Sequence, residues 1–310
     1  MAPAVLEGTS MQLKSTGDKS SMIANHEALS EPARDRSRAI GTILVEQGRL
    51  QPNKLNEIQR YASDRKLRFG EAALELGLID QNDIDIAIAQ QFHYPVVARG
   101  AGGGVSDDVI SAYMPQSEMI EPLRALRTQL NRRMNADHKI LAVTSPGRGE
   151  GRSWLAANLA TLFAQIGKRT LLIDCDMRHP SQHLMFNLNN AVGLSAMLTG
   201  RAGREAVSRI HPQLRLFVLC AGLAPPNPQE LLERPIFELV LELFGQQYDM
   251  LIMDTPCTSE VADAQVVAAR ADAALLLVRR GHTTQSQLVT TMKNFNECGV
   301  NVIGSVITDH

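Results

Sequence analysis

The chain has 310 residues, 44% of them apolar and 21% charged, enough for two packed domains. A formal net charge of -2 gives no general attraction to nucleic acid or anionic lipid, so no nucleic-acid partner is expected. There is no run of about 18 apolar residues and no signal-peptide core, which predicts a cytosolic chain that reaches a membrane only through a partner.

Residues 1–37 are rich in Ser, Glu, Lys and Ala without sustained periodicity and read as a flexible tail. Residues 38–97 contain an internal echo: Gly41-x6-Gly48-Arg49-Leu50 recurs as Gly70-x6-Gly77-Leu78-Ile79. Each copy runs into apolar residues at helical spacing, Leu55 and Ile58, then Ile84 and Ile88, as two helix-turn-helix halves would. Gly48 and Gly77 suit left-handed caps, and Asp80 or Asn82 suits the next helix start. This small all-helical module resembles the N-terminal domain of type II secretion and pilus-assembly ATPases, whose repeated Arg-Leu-Gly-x-x-Leu pattern binds cyclic di-GMP in some members. The second copy matches closely (Arg68-Phe69-Gly70, ending at Gln91), while the first has Ala39 where the arginine belongs. An arginine that pairs with phosphate has no neutral substitute, so a docking module is the favoured reading and cyclic di-GMP binding the alternative.

Residues 98–117, with Gly100, Gly102, Gly103 and Gly104 close together, read as a linker. From 118 to 310 strand and helix signals alternate. A helix is expected over 121–130, then strand 140–143, helix 153–166, strands 170–173 and 214–219 and helix 229–244. Strand 250–253, helix 261–270, strand 273–278, helix 284–298 and strand 301–307 follow. The apolar runs are continuous rather than alternating, as in strands buried on both faces. The fold class is α/β, a doubly wound, mostly parallel sheet of P-loop NTPase type preceded by the helical domain.

Three stretches end apolar runs and carry the chemistry: 145–153 (Ser-Pro-Gly-Arg-Gly-Glu-Gly-Arg-Ser), 174–178 (Asp-Cys-Asp-Met-Arg) and 254–256 (Asp-Thr-Pro). Each follows a strand, so all three meet at the carboxyl edge of a parallel sheet, where ligands bind. Gly147, Gly149 and Gly151 let backbone N–H groups turn inward around phosphate oxygens, and the following helix start adds its dipole. The cofactor-binding set is therefore Gly147, Arg148, Gly149, Glu150, Gly151, Arg152, Ser153 and Trp154. Compared with G-x-x-x-x-G-K-[ST], Pro146 stands at the first glycine and Arg152 at the lysine. Arg152 keeps the charge but not the compact ammonium, so nucleotide binding is expected to survive better than turnover. Ser153 is placed to ligate Mg²⁺, and Asp254 has the strand-end position of a carboxylate that reaches Mg²⁺, directly or through water. The Asp174–Asp176 pair can hold metal-bound water and accept a proton from an incoming hydroxyl. The four cysteines, Cys175, Cys220, Cys257 and Cys298, form no CxxC pair, which argues against zinc and fits free thiols.

These stretches resemble the Walker A, A′ and B motifs of the bacterial tyrosine kinases that control exopolysaccharide and capsule synthesis. Residues 121–127 (Glu-Pro-Leu-Arg-Ala-Leu-Arg) are similar to that family's Glu-x-x-Arg-x-x-Arg subunit-contact helix, and 225–228 match its Pro-Pro-Asn-Pro segment. With the added module, the chain is most similar to the EpsG-type, chain-length-determinant-associated kinases. The resemblance implies ATP and Mg²⁺ as cofactors, with the metal on Ser153, Asp254 and Asp176. It implies Asp174 as acceptor of a tyrosine hydroxyl's proton and Arg152 as a stabiliser of the transferring phosphoryl group. It also implies a membrane chain-length-determinant partner, a protein tyrosine substrate and subunit contacts through Glu121, Arg124 and Arg127. The tyrosine-rich end usual in the family is absent from this sequence, whose tyrosines are Tyr61, Tyr94, Tyr113 and Tyr248; the substrate is then another protein or one of these. Two further readings stand beside the kinase: a nucleotide-dependent regulator with little phosphotransfer, and a MinD/ParA-like ATPase.

Overall fold

The computed structural model describes residues 40–92, 94–97, 104–113, 117–134 and 137–309. The expected tail over 1–37 and the glycine-rich stretch 98–103 lie outside the described residues.

The repeat folds into four helices: α1 (Ile40–Glu46), α2 (Leu55–Arg65), α3 (Phe69–Glu75) and α4 (Gln81–Gln91). Gly48 and Gly77 follow the two short helices with φ of 69° and 64°, the left-handed geometry that a Cβ disfavours. Asp80 caps α4, its side chain accepting from Asp83 N–H while Asp83 answers to Asp80 N–H at 3.2 Å. Ile43, Leu44, Ile58, Ala72, Ala73 and Ile84 close a core of the helices' own.

The remainder forms α5 (Ile110–Tyr113), α6 (Glu121–Arg133), β1 (Ile140–Thr144), α7 (Arg152–Gln165), β2 (Thr170–Asp174), α8 (Gln182–Met185) and α9 (Leu194–Leu198). Then come β3 (Val207–Arg209), β4 (Leu216–Leu219), α10 (Pro228–Glu233), α11 (Pro235–Gly245), β5 (Met250–Asp254), α12 (Asp263–Ala268), β6 (Ala273–Arg279), α13 (Gln285–Glu297) and β7 (Val302–Thr308). The seven strands form one sheet in the order β3-β4-β2-β5-β1-β6-β7, parallel throughout except for the β3–β4 pair. One face packs on α7 through Leu155, Leu159 and Phe163; the other packs on α11 through Phe237, Leu241 and Phe244. Strands buried on both faces account for the unbroken apolar runs.

Three local expectations are corrected. The single helix expected over 229–244 is two, because Pro235 lacks an N–H and holds Arg234 extended at ψ 144°. The antiparallel edge strand β3 is three residues long and left no periodic signal. Residues 104–113, read as linker, are core: Val105, Val109, Ala112 and Tyr113 are buried against the α7 face, and Ser111 bonds to Asn158 of α7.

Candidate active site

β1, β2 and β5 lie side by side, and their register places Asp174 directly opposite Asp254 on paired parallel strands. Neighbouring parallel strands are about 4.8 Å apart, so two carboxylates separated widely in sequence become neighbours at one sheet edge. Both are fully buried. The phosphate loop leaves the adjacent β1, and its last glycine, Gly151, precedes α7 with φ 93°. The backbone beyond Asp254 laces onto that loop: Thr258 N–H donates to Ser145 carbonyl and Ser259 N–H to Pro146 carbonyl, both at 3.0 Å. The three motifs predicted to converge therefore do so.

Asp174 is held from three sides. Its Oδ2 accepts the N–H groups of Ser181 and Gln182 at 3.0 Å each, and its Oδ1 accepts Asp176 N–H at 3.1 Å. Burial nevertheless drives its pKa well above the ordinary carboxylate range, with the charge of Asp254 adding to the rise. Asp176 accepts the N–H groups of Arg178 and His179, closing the turn. Arg178 forks onto the buried carboxylate of Asp263 at 2.8 and 3.2 Å.

Asp254 is pushed up to about 6 by burial, against side-chain hydrogen bonding from Gln182 and Ser153 and the positive charge of Arg152. Its Oδ2 accepts Gln182 Nε2 at 2.7 Å, whereas its buried Oδ1 has no hydrogen-bond partner. A buried, unpartnered carboxylate oxygen next to a serine hydroxyl fits a hard, oxygen-seeking cation. Among the described residues no group of three or more His, Cys, Asp or Glu side chains could chelate an ion unaided. An ion here would take further ligands from phosphate and water, as Mg²⁺ does.

Arg152 takes a different position from the one its motif place implies. It is 9% exposed, and its guanidinium donates to Thr255 carbonyl (2.9 Å), Ser145 Oγ (2.6 Å) and Gly147 carbonyl (2.6 Å). It ties the phosphate loop to the loop after Asp254. Glu150 is fully buried inside the loop, accepting Gly147 N–H at 3.0 Å and the Thr283 hydroxyl. Arg148 is exposed near Glu260, and Arg279 donates to Gly149 carbonyl at 3.0 Å. Trp154 is half-buried against the α7-side core.

Sequence reading missed Gln182, which joins all three motifs through Asp254, Asp174 and the Ser153 carbonyl (3.1 Å). It also missed Thr283. Gln182 opens the four-residue α8 and Thr283 lies in the connection after β6, neither within a motif, so no sequence signal marked them. On α6, Glu121 pairs with Arg124 of the same helix at 3.3 Å, and Arg127 is half-buried with its Nε lacking a partner.

Residues 141–310 match the family model of the CobQ/CobB/MinD/ParA nucleotide binding domain. The chain is 36% identical over 211 residues to the tyrosine-protein kinase YwqD of Bacillus subtilis, covering 67% of this chain and 89% of that one. It is 37% identical over 199 residues to the putative tyrosine-protein kinase EpsB of Ralstonia solanacearum, covering 64% of this chain but 26% of that protein, so it spans about a quarter of that relative's length. Among solved structures, the kinase domain of the Escherichia coli tyrosine kinase ETK superposes with a TM-score of 0.64 at 30% identity, covering 68% of this chain and 82% of that one.

Proposed function

Because the chain belongs to the family of bacterial tyrosine-protein kinases, we propose that it transfers the γ-phosphoryl group of ATP to protein tyrosine and so regulates exopolysaccharide chain length, polymerisation or export. The observation that carries this reading is the unpartnered Oδ1 of buried Asp254 beside Ser153 and opposite Asp174. ATP's phosphates would lie against the backbone N–H groups of 147–153, and Mg²⁺ would be held by Ser153 and Asp254 with Asp176 in support. The ion supplies charge neutralisation on the phosphates. Asp174, with its raised pKa, is the acceptor for the tyrosine proton, since a carboxylate that prefers its neutral form takes a proton readily.

The partner this reading calls for is a membrane chain-length-determinant protein, with Glu121, Arg124 and Arg127 as the face for contacts between copies. The helical module is a docking element in this proposal; Arg68 and Gln91 keep cyclic di-GMP as its alternative ligand. One observation favours a second reading, a nucleotide-binding regulator with weak phosphotransfer: the Arg152 guanidinium is committed to three protein oxygens. The two are separated by incubating the purified chain with γ-labelled ATP, Mg²⁺ and the cytosolic tail of its membrane partner. Label on tyrosine that disappears in Asp174→Asn is the expected outcome. Tight ATP binding with no label would instead establish the regulator.

A further inference from the structure

Of the four tyrosines, two are packing residues. Tyr113 is 2% and Tyr248 6% exposed, and Tyr248 lies edge-on to Phe217 and Phe244. Tyr61 and Tyr94 remain, both partly exposed, each with a guanidinium over its ring but with different partners on the hydroxyl. The Arg65 guanidinium lies 5.0 Å from the Tyr61 ring centroid but is itself 3.9 Å from Glu75, whose Oε2 accepts the Tyr61 hydroxyl at 3.1 Å, so a phosphate there would face a carboxylate. Tyr94 follows α4, its N–H donating back to Ala89 carbonyl at 2.7 Å, and its hydroxyl has one neutral partner, Gln165 Oε1 at 2.7 Å. The Arg124 guanidinium lies 5.9 Å from the Tyr94 ring centroid. One turn further along α6, Arg127 has a buried Nε with no hydrogen-bond partner. Burial lowers the pKa of Arg127, and among its neighbours the Tyr94 oxygen is the strongest influence restoring it. A half-buried guanidinium short of an acceptor, with a second one beside the same phenol, is an arrangement that suits a phosphate monoester.

We propose that Tyr94 is a phosphorylation site of this chain, filled by a second copy, with Arg127 and Arg124 receiving the phosphate. The inference rests on the kinase reading above. Transfer must come from another copy because Tyr94 is bonded to Gln165, the last residue of α7, while the phosphate loop meets the first. Fourteen helical residues separate the two ends by about 20 Å. In the reaction, Tyr94 Oη of one copy bonds to the γ-phosphorus of ATP held by the other. The bond from that phosphorus to the β,γ-bridging oxygen breaks, ADP leaves with the electron pair, and the phenolic proton passes to Asp174 of the ATP-bearing copy. The new ester has no O–H to donate, so the Gln165 bond is lost and the phosphate is free to turn to Arg127.

The test incubates the full chain with γ-labelled ATP and Mg²⁺, with and without a Glu/Tyr copolymer as external acceptor, and maps label by peptide mass spectrometry. Label on Tyr94 is expected, rising more than linearly with protein concentration, and Tyr94→Phe should lose about tenfold of self-label while labelling the copolymer at the wild-type rate. An Asp174→Asn chain mixed with wild type should be labelled on Tyr94. In ³¹P spectra the Tyr94 phosphate should titrate below its usual value of about 6 and return to it in Arg127→Gln. Copolymer labelled with Tyr94 blank, or label on Tyr61 alone, overturns this inference and leaves the kinase reading intact. No label on either acceptor overturns both.

Discussion

Asp254 is a carboxylate that the fold holds in an unfavourable form. Unfolded, it titrates near 3.8; folded, burial raises it to about 6. Between those values the folded chain keeps the proton and the unfolded chain has lost it, so this residue's contribution to stability falls as pH rises through about 4 to 6 and stays low above. Asp174 acts in the same direction. The ligand-free Asp254→Asn protein should therefore be more stable than wild type at pH 7.5 by about 1–3 kcal/mol, with a shallower decline of Tm from acid to neutral pH. It should lose magnesium-dependent nucleotide affinity. Calorimetry across that pH range, with titration of Mg-ATP, checks both; equal pH slopes would refute the buried-charge account. The carboxylates themselves were legible in the sequence because each ends an apolar run. The orientation of Arg152 was not: its place in the motif says cation near phosphate, and only the carbonyls of Gly147 and Thr255, brought together by folding, reveal what it binds.

At the scale of elements, the phosphate loop is gripped by the connection after β6. Glu150 accepts from Thr283, Thr283 Oγ1 accepts Arg279 N–H at 2.9 Å, and Arg279 reaches back to Gly149 carbonyl. Because these groups share one network, truncating either end forfeits the same interaction. Glu150→Ala and Thr283→Ala should each destabilise, and the double variant should fall short of additivity by about 1–2 kcal/mol in a denaturant double-mutant cycle. An additive pair would mean the two loops are independent. Six of the seven strands were readable from their apolar runs, and so was α7 from its glycine-rich start, because these are local signals. The break between α10 and α11 was also written locally, in Pro235, but the apolar periodicity running across it masked the stop. β3 and residues 104–113 were unreadable for a physical reason: three residues give no period, and a glycine-rich context hid four apolar side chains that fill a groove on α7.

For the whole molecule, one buried side chain ties the helical module to the sheet domain alongside the packing of Val97. Gln165, buried at the end of α7, accepts from Tyr94 and donates to the carbonyls of Pro95 (3.3 Å) and Ser111 (2.7 Å). Val97 N–H adds a bond to Ala112 carbonyl. Gln165→Ala would leave two carbonyls and a phenol without partners at once. A loss of about 1–3 kcal/mol in urea unfolding is expected, with faster amide exchange at Val97. Wild-type protection there would show that the junction holds without it.

The sheet register has a consequence for how the protein can be lengthened. The polypeptide leaves β2 at Asp174 and leaves the neighbouring β5 at Asp254, and their spacing is fixed by ladder hydrogen bonds. Beyond α8, whose Gln182 bonds both carboxylates, the loop segment between Phe186 and α9 does not enter that spacing. Closing a longer loop costs only a logarithmic entropy increment. New peptide could be grafted into the exposed turn around Asn189 and Ala191 without disturbing the chemistry, which makes that turn a natural place to attach a tag, a reporter or an extra domain.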